Sequence, residues 1–318
     1  MPHEMKGWVP SGLRQEGDRV LCRWTCVADT PFTAPFFEET LQRCMSLPEN
    51  SARHRVATDL DLLPHLAAGV PALEPAAFIF HVSRCGSTLV TQLLGEDPAF
   101  LTLSEVPFFD QLLRARFQPG PARSIPVDRL LPPALRLHGQ ARHGSERHLI
   151  VKTDCWHLGF HAELRALYPE TPFILLYREP EAVIRSQRRR AGMHAIRGLI
   201  EPGVLGLDEA ELAELPPDAY LPKVLDTCYR IMLRIARTDA RSLLVPYEPD
   251  MTRAVETVAR FAGIGLTAAH RERMRIRAGC HAKQPGLAFV EPEPAAIEVP
   301  GACRASHEAL RAFPAVPT

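Results

Sequence analysis

The sequence has no excess of charge of either sign and few aromatic side chains. Its 318 residues include 37 lysines and arginines against 37 aspartates and glutamates, and only 7% are aromatic. This balance gives no sign of the basic surface that binds long polyanions, so any nucleotide must be held by a local cluster of cations. Since 46% of the residues are hydrophobic, the chain can bury a sizeable core. We expect an ordinary globular protein that binds no nucleic acid.

Paired cysteines at metal-binding or redox spacing are also absent. The eight cysteines are scattered without a C-x-x-C pair, and Cys85 lies next to a glycine in a loop. Cys22 and Cys26 are the closest pair, and their spacing on an alternating run favours buried core residues over a metal site. This usage indicates reduced thiols in a cytoplasmic protein, and we predict no metal site.

Long apolar runs are missing as well. The first ten residues, MPHEMKGWVP, lack the apolar core of a signal peptide, and no window approaches the length of a membrane-spanning helix. We therefore expect a soluble protein that is not exported and has no membrane partner.

Short β-rich runs alternate with helical patterns from Ala76 onward. The runs AFIFHVS, HLIVKT, PFILLYR and SLLVPYE are almost continuously apolar, and each is followed by a segment of helical periodicity. Continuous apolar strands are typical of a parallel sheet whose faces are covered by helices. The sequence therefore predicts an α/β domain built on a parallel β-sheet flanked by helices.

Residues 1–72 differ in pattern from the rest of the chain. RVLCRWTCVAD alternates like a strand, and APFFEETLQRCMSL has helical periodicity with Pro35 at its first turn. We interpret 1–72 as an N-terminal α+β extension, 73–290 as the α/β domain and 291–318 as a C-terminal tail. Two stretches rich in proline, 117–146 and 192–222, interrupt the α/β pattern, and we expect them to form small helical excursions or lids.

The segment HVSRCGSTLV leads from a strand through a turn of small residues into a helix. Gly86 allows close backbone approach, and the amides of Ser87, Thr88 and Leu89 at a helix start are able to hold an anion with the help of Arg84. Ser87 or Thr88 would equally serve as plain helix caps. The loop of kinases and GTPases, G-x-x-x-x-G-K-[ST], needs glycine at position 81 and lysine at position 87, where this chain has histidine and serine.

This loop resembles the 5′-phosphosulfate loop of sulfotransferases that use 3′-phosphoadenosine 5′-phosphosulfate (PAPS). In that family a lysine or arginine precedes a small residue, and a glycine and two serines or threonines follow. The matching positions in this chain, all expected to bind the cofactor, are Arg84, Cys85, Gly86, Ser87 and Thr88.

Two further stretches resemble motifs of the same family in the expected order. LLYREPEAVIRSQ supplies Arg178 and Ser186 at the spacing of the 3′-phosphate motif, in which an arginine ends a strand and a serine follows on the next helix. RSLLVPYEPDMTRAVETVARFAGI resembles the family's later strand, Tyr-Glu pair and helix. The resemblance spans about residues 76–285 and implies the P-loop-like sulfotransferase fold, with PAPS as donor, PAP as product and no metal.

The resemblance also implies which residues carry the reaction. Lys152 in LIVKTD stands where the family's lysine stabilises the leaving phosphate oxygen together with Arg84. Glu105 in LTLSEVPFFDQLL stands where tyrosylprotein and many bacterial sulfotransferases have a glutamate base. Asp154 takes the place of the histidine base found in sulfotransferases of small phenols, and it is the alternative base.

This chain departs from the family in its late loop and in its adenine pocket. RIRAGCHAKQPG offers Arg277 and Lys283 as cations for the 3′-phosphate, but it lacks the family's middle lysine and second glycine. Leu89 stands where many relatives have a tryptophan that stacks on adenine. The contacts of the adenine ring therefore stay unassigned.

The order of these motifs predicts a PAPS-dependent sulfotransferase. It would transfer a sulfuryl group by in-line displacement, with a glutamate base, to a hydroxyl of a small-molecule, peptide or glycan acceptor. Two alternatives stay open, a phosphotransferase with a degenerate phosphate loop and a non-catalytic nucleotide-binding protein of the same fold, because each motif alone is common.

Overall fold

A computed structural model gives the structure of the protein over residues 5–51, 56–281, 284–288 and 297–314. Lys283, a predicted cofactor ligand, lies outside the described residues.

The strands are β1 (Trp8–Glu16), β2 (Arg19–Cys26), β3 (Ala57–Asp59), β4 (Pro75–His81), β5 (Phe100–Ser104), β6 (His148–Lys152), β7 (Phe173–Tyr177), β8 (Ser242–Pro246), β9 (Cys280–His281) and β10 (Gln284–Ala288). The helices are α1 (Phe37–Cys44), α2 (Leu63–Ala67), α3 (Ser87–Leu94), α4 (Pro107–Arg114), α5 (Val127–His138), α6 (His161–Leu167), α7 (Pro180–Arg189), α8 (Glu209–Glu214), α9 (Pro217–Thr238), α10 (Met251–Phe261), α11 (Ala268–Ala278) and α12 (Gly301–Ala312).

Within the described part of the chain, the largest sheet has five strands in the order β5-β6-β4-β7-β8. The pairs β5–β6, β4–β7 and β7–β8 are parallel. After β4 the chain adds β5 and β6 on one side of this strand, and later β7 and β8 on its other side. This reversal is a topological switch point, and ligands of α/β folds bind at such points, beyond the carboxyl ends of the strands. The structure thus confirms the predicted α/β fold with a parallel sheet flanked by helices, and the loop that contains Gly86 follows the carboxyl end of β4.

Residues 1–76 and 94–152 form one compact unit. It contains the antiparallel sheet β1-β2-β3, and α1 begins after Phe36, so Pro35 precedes the helix instead of lying in its first turn. The stretch 117–146 contains α5, as predicted. His138 at the end of α5 is buried against the rings of Phe37 and Phe109, with centroids 5.2 and 4.8 Å away. Burial lowers the pKa of His138 to about 4.

Residues 77–93 and 153–318 form a second compact unit. Its strands β4 and β7 pair in register, with Phe78 opposite Phe173. The predicted excursion at 192–222 consists of short helical turns, α8 and the first part of α9. Helix α12 is joined to α9 by a hydrogen bond from Ser306 to Asp226 at 2.6 Å.

Among the described helices of the protein, none combines the length and apolar character needed to span a bilayer.

Candidate anion-binding site

The loop after β4 reaches α3 through Gly86. This glycine has φ +82°, and its carbonyl accepts the first helical hydrogen bond, from the amide of Val90 at 3.1 Å. A Cβ here would be strained and would lie 2.9 Å from Cε of Met251. The helix therefore starts on a residue without a side chain. The amides of its first turn, at Ser87 and Thr88, have no acceptor within the helix and suit an anion.

Arg84, which lies in this loop, has an uncommon backbone conformation. Its φ of +61° lies in the left-handed region, which costs about 1–3 kcal/mol for a residue other than glycine. Its carbonyl accepts a hydrogen bond from Nη1 of Arg178 at 3.3 Å, and its guanidinium donates to the carbonyl of Arg190. Residues on both sides of α7 therefore hold the loop at Arg84. The neighbouring Cys85 is a buried free thiol.

Arg178, which follows β7 directly, is placed by contacts on several sides. Its guanidinium carbon lies 3.8 Å from the ring centre of Tyr247, and its Nε donates to Glu179 at 3.3 Å. The hydroxyl of Tyr229 donates to its carbonyl at 2.6 Å. Stacking on an aromatic face holds a guanidinium in a defined orientation. The sequence motifs around Arg84, Arg178 and Tyr247 thus meet in the structure, whereas Ser186 lies half-buried on α7.

Sequence reasoning missed Ser83, Gln187 and His194, which connect the loop to the segment after α7. Nε2 of Gln187 donates to Oγ of Ser83 at 2.6 Å, and that hydroxyl lies 3.0 Å from Nε2 of His194. Oε1 of Gln187 accepts from the amide of Gly192 at 2.7 Å. No spacing rule identifies such residues, because they become partners only when α7 packs beside the loop.

Arg277 lies beside α3, the helix that begins at the loop. Its Nη2 donates to Oε1 of Gln92 on that helix. Closer to the start of α11, Nε2 of His270 lies 2.9 Å from the carbonyl of Leu93. These contacts attach α11 to α3. The predicted role of Arg277 at the 3′-phosphate stays a prediction.

Lys152 is the last residue of β6, and Glu105 directly follows β5. Because β5 and β6 are neighbouring parallel strands of the first unit, the two residues lie close together. Ser104 pairs with Lys152, and the amide of Glu105 donates to the carbonyl of Lys152 at 2.8 Å. The Lys152 ammonium donates to Oε1 of Glu105 in a short contact and lies 5.4 Å from the ring centre of Phe36. A buried ammonium needs such a counter-charge, because water no longer solvates it.

The exposures of these two side chains differ. The side chain of Lys152 is fully buried, whereas that of Glu105 retains 21% of its surface. Glu105 also has a left-handed backbone, with φ +53°. The carboxylate of Glu105 is therefore held by Lys152, while part of the Glu105 side chain reaches the surface.

Asp154, the alternative base, has a structural function in the second unit. It is the N-cap of the helical turn Cys155–Phe160, and its side chain accepts a backbone hydrogen bond there. Its own amide donates to Nδ1 of His157 at 3.2 Å, which completes a reciprocal cap. This arrangement explains a carboxylate at position 154 without any role in a reaction.

No protein-family model and no curated protein matches this chain. Several sulfotransferases are among the solved structures that resemble it. A sulfotransferase domain from the curacin biosynthetic pathway is 14% identical, with a TM-score of 0.47 over 76% of this chain and 98% of its own. Sulfotransferase STF9 from Mycobacterium avium is 18% identical, with a TM-score of 0.42 over 66% of this chain and 69% of its own. Mouse sulfotransferase SULT7A1, complexed with PAP, is 12% identical, with a TM-score of 0.36 over 80% of this chain and 82% of its own.

Proposed function

We propose that this protein is a sulfotransferase that transfers the sulfuryl group of PAPS to a hydroxyl of a small-molecule, peptide or glycan acceptor. The observation that supports this best is the hydrogen bond from Arg178 to the carbonyl of Arg84. It joins two motifs, far apart in the sequence, that resemble the contacts of the 3′-phosphate and of the 5′-phosphosulfate. A shared anionic ligand gives a reason for both motifs to be present.

The residues of the loop fit an anionic group. Gly86 presents no side chain, the first amides of α3 lack helical acceptors, and Arg84 and Arg178 are cations bonded at the same loop. A sulfuryl group carries less negative charge than a phosphoryl group, so side-chain cations can take the place of the magnesium ion that kinases use. When bound, PAPS supplies the sulfuryl group and the phosphate oxygen from which it departs.

The residues have separate tasks in this proposal. Arg84 and the loop amides bind the 5′-phosphosulfate and, with Lys152, stabilise the charge that develops on the leaving oxygen. Glu105 accepts the proton of the acceptor hydroxyl. The proposed ligands of the 3′-phosphate are Arg178, Ser186, Arg277 and Lys283.

The ion pair of Lys152 and Glu105 couples two of these tasks. Glu105 is the counter-charge of the buried ammonium. When Glu105 takes up a proton it loses its negative charge, and Lys152 is released from the ion pair. The positive charge of Lys152 then becomes available while negative charge develops on the leaving oxygen.

Calorimetric titration with PAP tests this function. The wild-type protein is expected to bind PAP, and Arg178→Lys to weaken binding by about tenfold, because a lysine keeps the charge but loses the planar fork that binds a phosphate. Arg241→Lys is the matched control, since Arg241 forms an exposed ion pair with Glu170. Wild-type protein that does not bind PAP would contradict the proposal. Thermal protection by ATP with magnesium, and not by PAP, would favour the phosphotransferase alternative.

A further inference from the structure

A partly buried hydrogen-bond chain connects the anion loop to the segment after α7. It runs from the amide of Gly192 through the carboxamide of Gln187 to the hydroxyl of Ser83 and the imidazole of His194. Gln187 is 3% exposed and His194 is 9% exposed. Groups this well buried exchange few hydrogen bonds with water, so each of them depends on its partners in the chain.

The direction of each bond follows from groups that can only donate. A backbone amide is always a donor, so the oxygen of the Gln187 carboxamide must face Gly192 and its NH2 must face Ser83. The same NH2 lies 3.3 Å from Nε2 of His194. Because that NH2 can only donate, Nε2 is the acceptor of this contact, and Ser83, which accepts from Gln187, directs its own proton at Nε2. Nε2 therefore faces donors and carries a lone pair, and the ring proton is on Nδ1.

The His194 ring lies beside Gly192 and Trp156. A Cβ on Gly192 would lie 3.3 Å from Cε1 and 3.4 Å from Nδ1 of this ring. The ring of Trp156 lies on another side, with centroids 6.4 Å apart and an interplanar angle of 34°. The contacts of Nε2 with Ser83 and Gln187 orient the imidazole, with Nε2 toward Ser83.

Ser83 directly precedes Arg84, the strained residue of the loop. A left-handed arginine persists only where its surroundings hold it, and Arg84 is held by Arg178 at its carbonyl and by Arg190 at its side chain. The hydroxyl of Ser83 is a further attachment, on the amino-terminal side of Arg84. Without it the loop is expected to relax toward ordinary backbone angles.

We propose that Gln187 and His194 are positioning residues that hold Ser83, and through it the anion loop, in the conformation that binds the ligand. The form of His194 that does so is the neutral ring with its proton on Nδ1. Neither side chain needs to touch the ligand. The inference deepens the proposed function and rests on it for the identity of the ligand, PAP, that reports on the loop.

The first test reads the proton on His194 directly. Nitrogen NMR of ¹⁵N-histidine-labelled protein, assigned with a His194→Gln variant, should show Nε2 of His194 without a proton at neutral pH. In Gln187→Glu both side-chain oxygens accept, so Ser83 must donate to the carboxylate and Nε2 of His194 must donate to Ser83. The Nε2 signal should therefore become that of a protonated nitrogen. A protonated Nε2 in the wild type, or no change in the variant, overturns the proposed chain.

The second test measures PAP affinity. Ser83→Ala and Gln187→Ala should each weaken PAP binding by about tenfold, because both remove the Gln187–Ser83 hydrogen bond that holds the loop. Ser242→Ala is the matched control, because the Ser242 hydroxyl donates to the carbonyl of Asp239 at 2.8 Å, away from the loop. Thermal unfolding of each variant verifies its fold.

The outcomes separate this inference from the proposed function. Wild-type protein that binds PAP, together with Ser83→Ala and Gln187→Ala proteins that bind it equally well, overturns the positioning role and leaves the function intact. Wild-type protein that does not bind PAP overturns the function, and the positioning role for this ligand falls with it. The histidine spectra decide the direction of the hydrogen-bond chain in either case.

Discussion

Arg84 and Glu105, two residues with proposed roles in the reaction, have a strained backbone conformation. Within the described residues, those other than glycine with positive φ are Ala28, Arg84 and Glu105. Such conformations persist only where the surrounding structure holds them, and they are found preferentially at functional sites. Arg84 is held by the residues that flank α7, and Glu105 by the main chain and ammonium of Lys152. The strain is therefore consistent with the roles proposed from the sequence motifs.

Glu105→Gln is expected to abolish most turnover while PAP affinity is retained. The amide still accepts a hydrogen bond from Lys152 but cannot accept a proton, and loss of a general base typically lowers the rate about 100-fold or more. The measurement is sulfuryl transfer from labelled PAPS to pooled hydroxyl compounds, beside calorimetry with PAP.

Asp154→Asn is the matched control, since asparagine caps a helix as well as aspartate does. Its turnover should equal that of the wild type. A loss of turnover in Asp154→Asn with normal turnover in Glu105→Gln would make Asp154 the base. The non-catalytic alternative predicts a wild-type protein that binds PAP and transfers no sulfuryl group.

At the scale of elements, a largely buried carboxylate joins α6 to the turn before β8. Oδ2 of Asp239 accepts from Nε2 of His161 at 2.9 Å and from Nε and Nη2 of Arg165 at 3.0 and 2.9 Å. Burial alone would raise the pKa of Asp239, but the hydrogen bonds from His161 and Arg165 outweigh it and lower this pKa below 3.8. Burial lowers the pKa of His161 in spite of its anionic partner, so the neutral ring donates to Asp239 at pH 7.

Asp239→Asn should destabilise the protein by about 1–3 kcal/mol at pH 7, because a charge-assisted hydrogen bond shielded from water is lost. The pKa of this carboxyl is lower in the folded than in the unfolded state. Its contribution is therefore complete above the unfolded value and disappears as the pH falls through the folded value. Urea unfolding at several pH values should show the two proteins converging below about pH 4.

The matched control for this prediction is Glu170→Gln. Glu170 forms an ion pair with Arg241, but both side chains are largely exposed. Exposed pairs contribute at most about 1 kcal/mol. A variant at position 170 that destabilises as much as Asp239→Asn would contradict the importance of burial.

The sequence pattern does not indicate β5 or the full length of α9, for different reasons. Strand β5, FLTLS, is five residues long and places Thr102 and Ser104 in buried positions, so it lacks the nearly continuous apolar run of the other strands in its sheet. Helix α9 begins with Pro217 and contains Pro222, and prolines remove helical donors and normally indicate a break. Its 22 residues are helical because many side chains between Tyr220 and Ile235 are buried, including the run Val224–Tyr229, and this packing outweighs the local preference.

At the scale of the molecule, the unit of residues 1–76 and 94–152 should lose stability in acid. His138 is fully buried, and burial lowers its pKa to about 4, below the 6.5 of an unperturbed histidine. The unfolded chain therefore takes up a proton first, and folding stability falls as the pH drops from about 6.5 to 4, by about 3 kcal/mol at pH 4. His148 in the same unit has a pKa that burial also lowers, and it adds to this loss.

In His138→Met the folding stability should fall less as the pH drops from about 6.5 to 4, because methionine fills the site without titrating. Urea unfolding followed by tryptophan fluorescence is suitable, since Trp24 is buried in this unit. His65→Met on the exposed surface of α2 is the control and should leave the pH dependence unchanged. A fall in stability that stays as steep in His138→Met would show that other groups cause it.

The sequence by itself determined the α/β alternation, the turn at Gly86 between a strand and a helix, and the position of Arg178 at a strand end. Apolar runs and motif spacings are local properties, and they are legible along the chain. The boundaries at residues 72 and 290, and the roles of Arg84, Glu105 and Lys152, stay predictions.

Only the tertiary structure decided the strand order, the ion pair of Lys152 with Glu105, and the contact of Arg178 with Arg84. The same holds for the hydrogen-bond chain through Ser83 and Gln187. Each of these depends on residues distant in sequence that become neighbours when the sheet forms and α7 packs beside it. Hydrogen bonds and ion pairs of that kind act over a few ångströms in space, so their partners cannot be inferred from order along the chain.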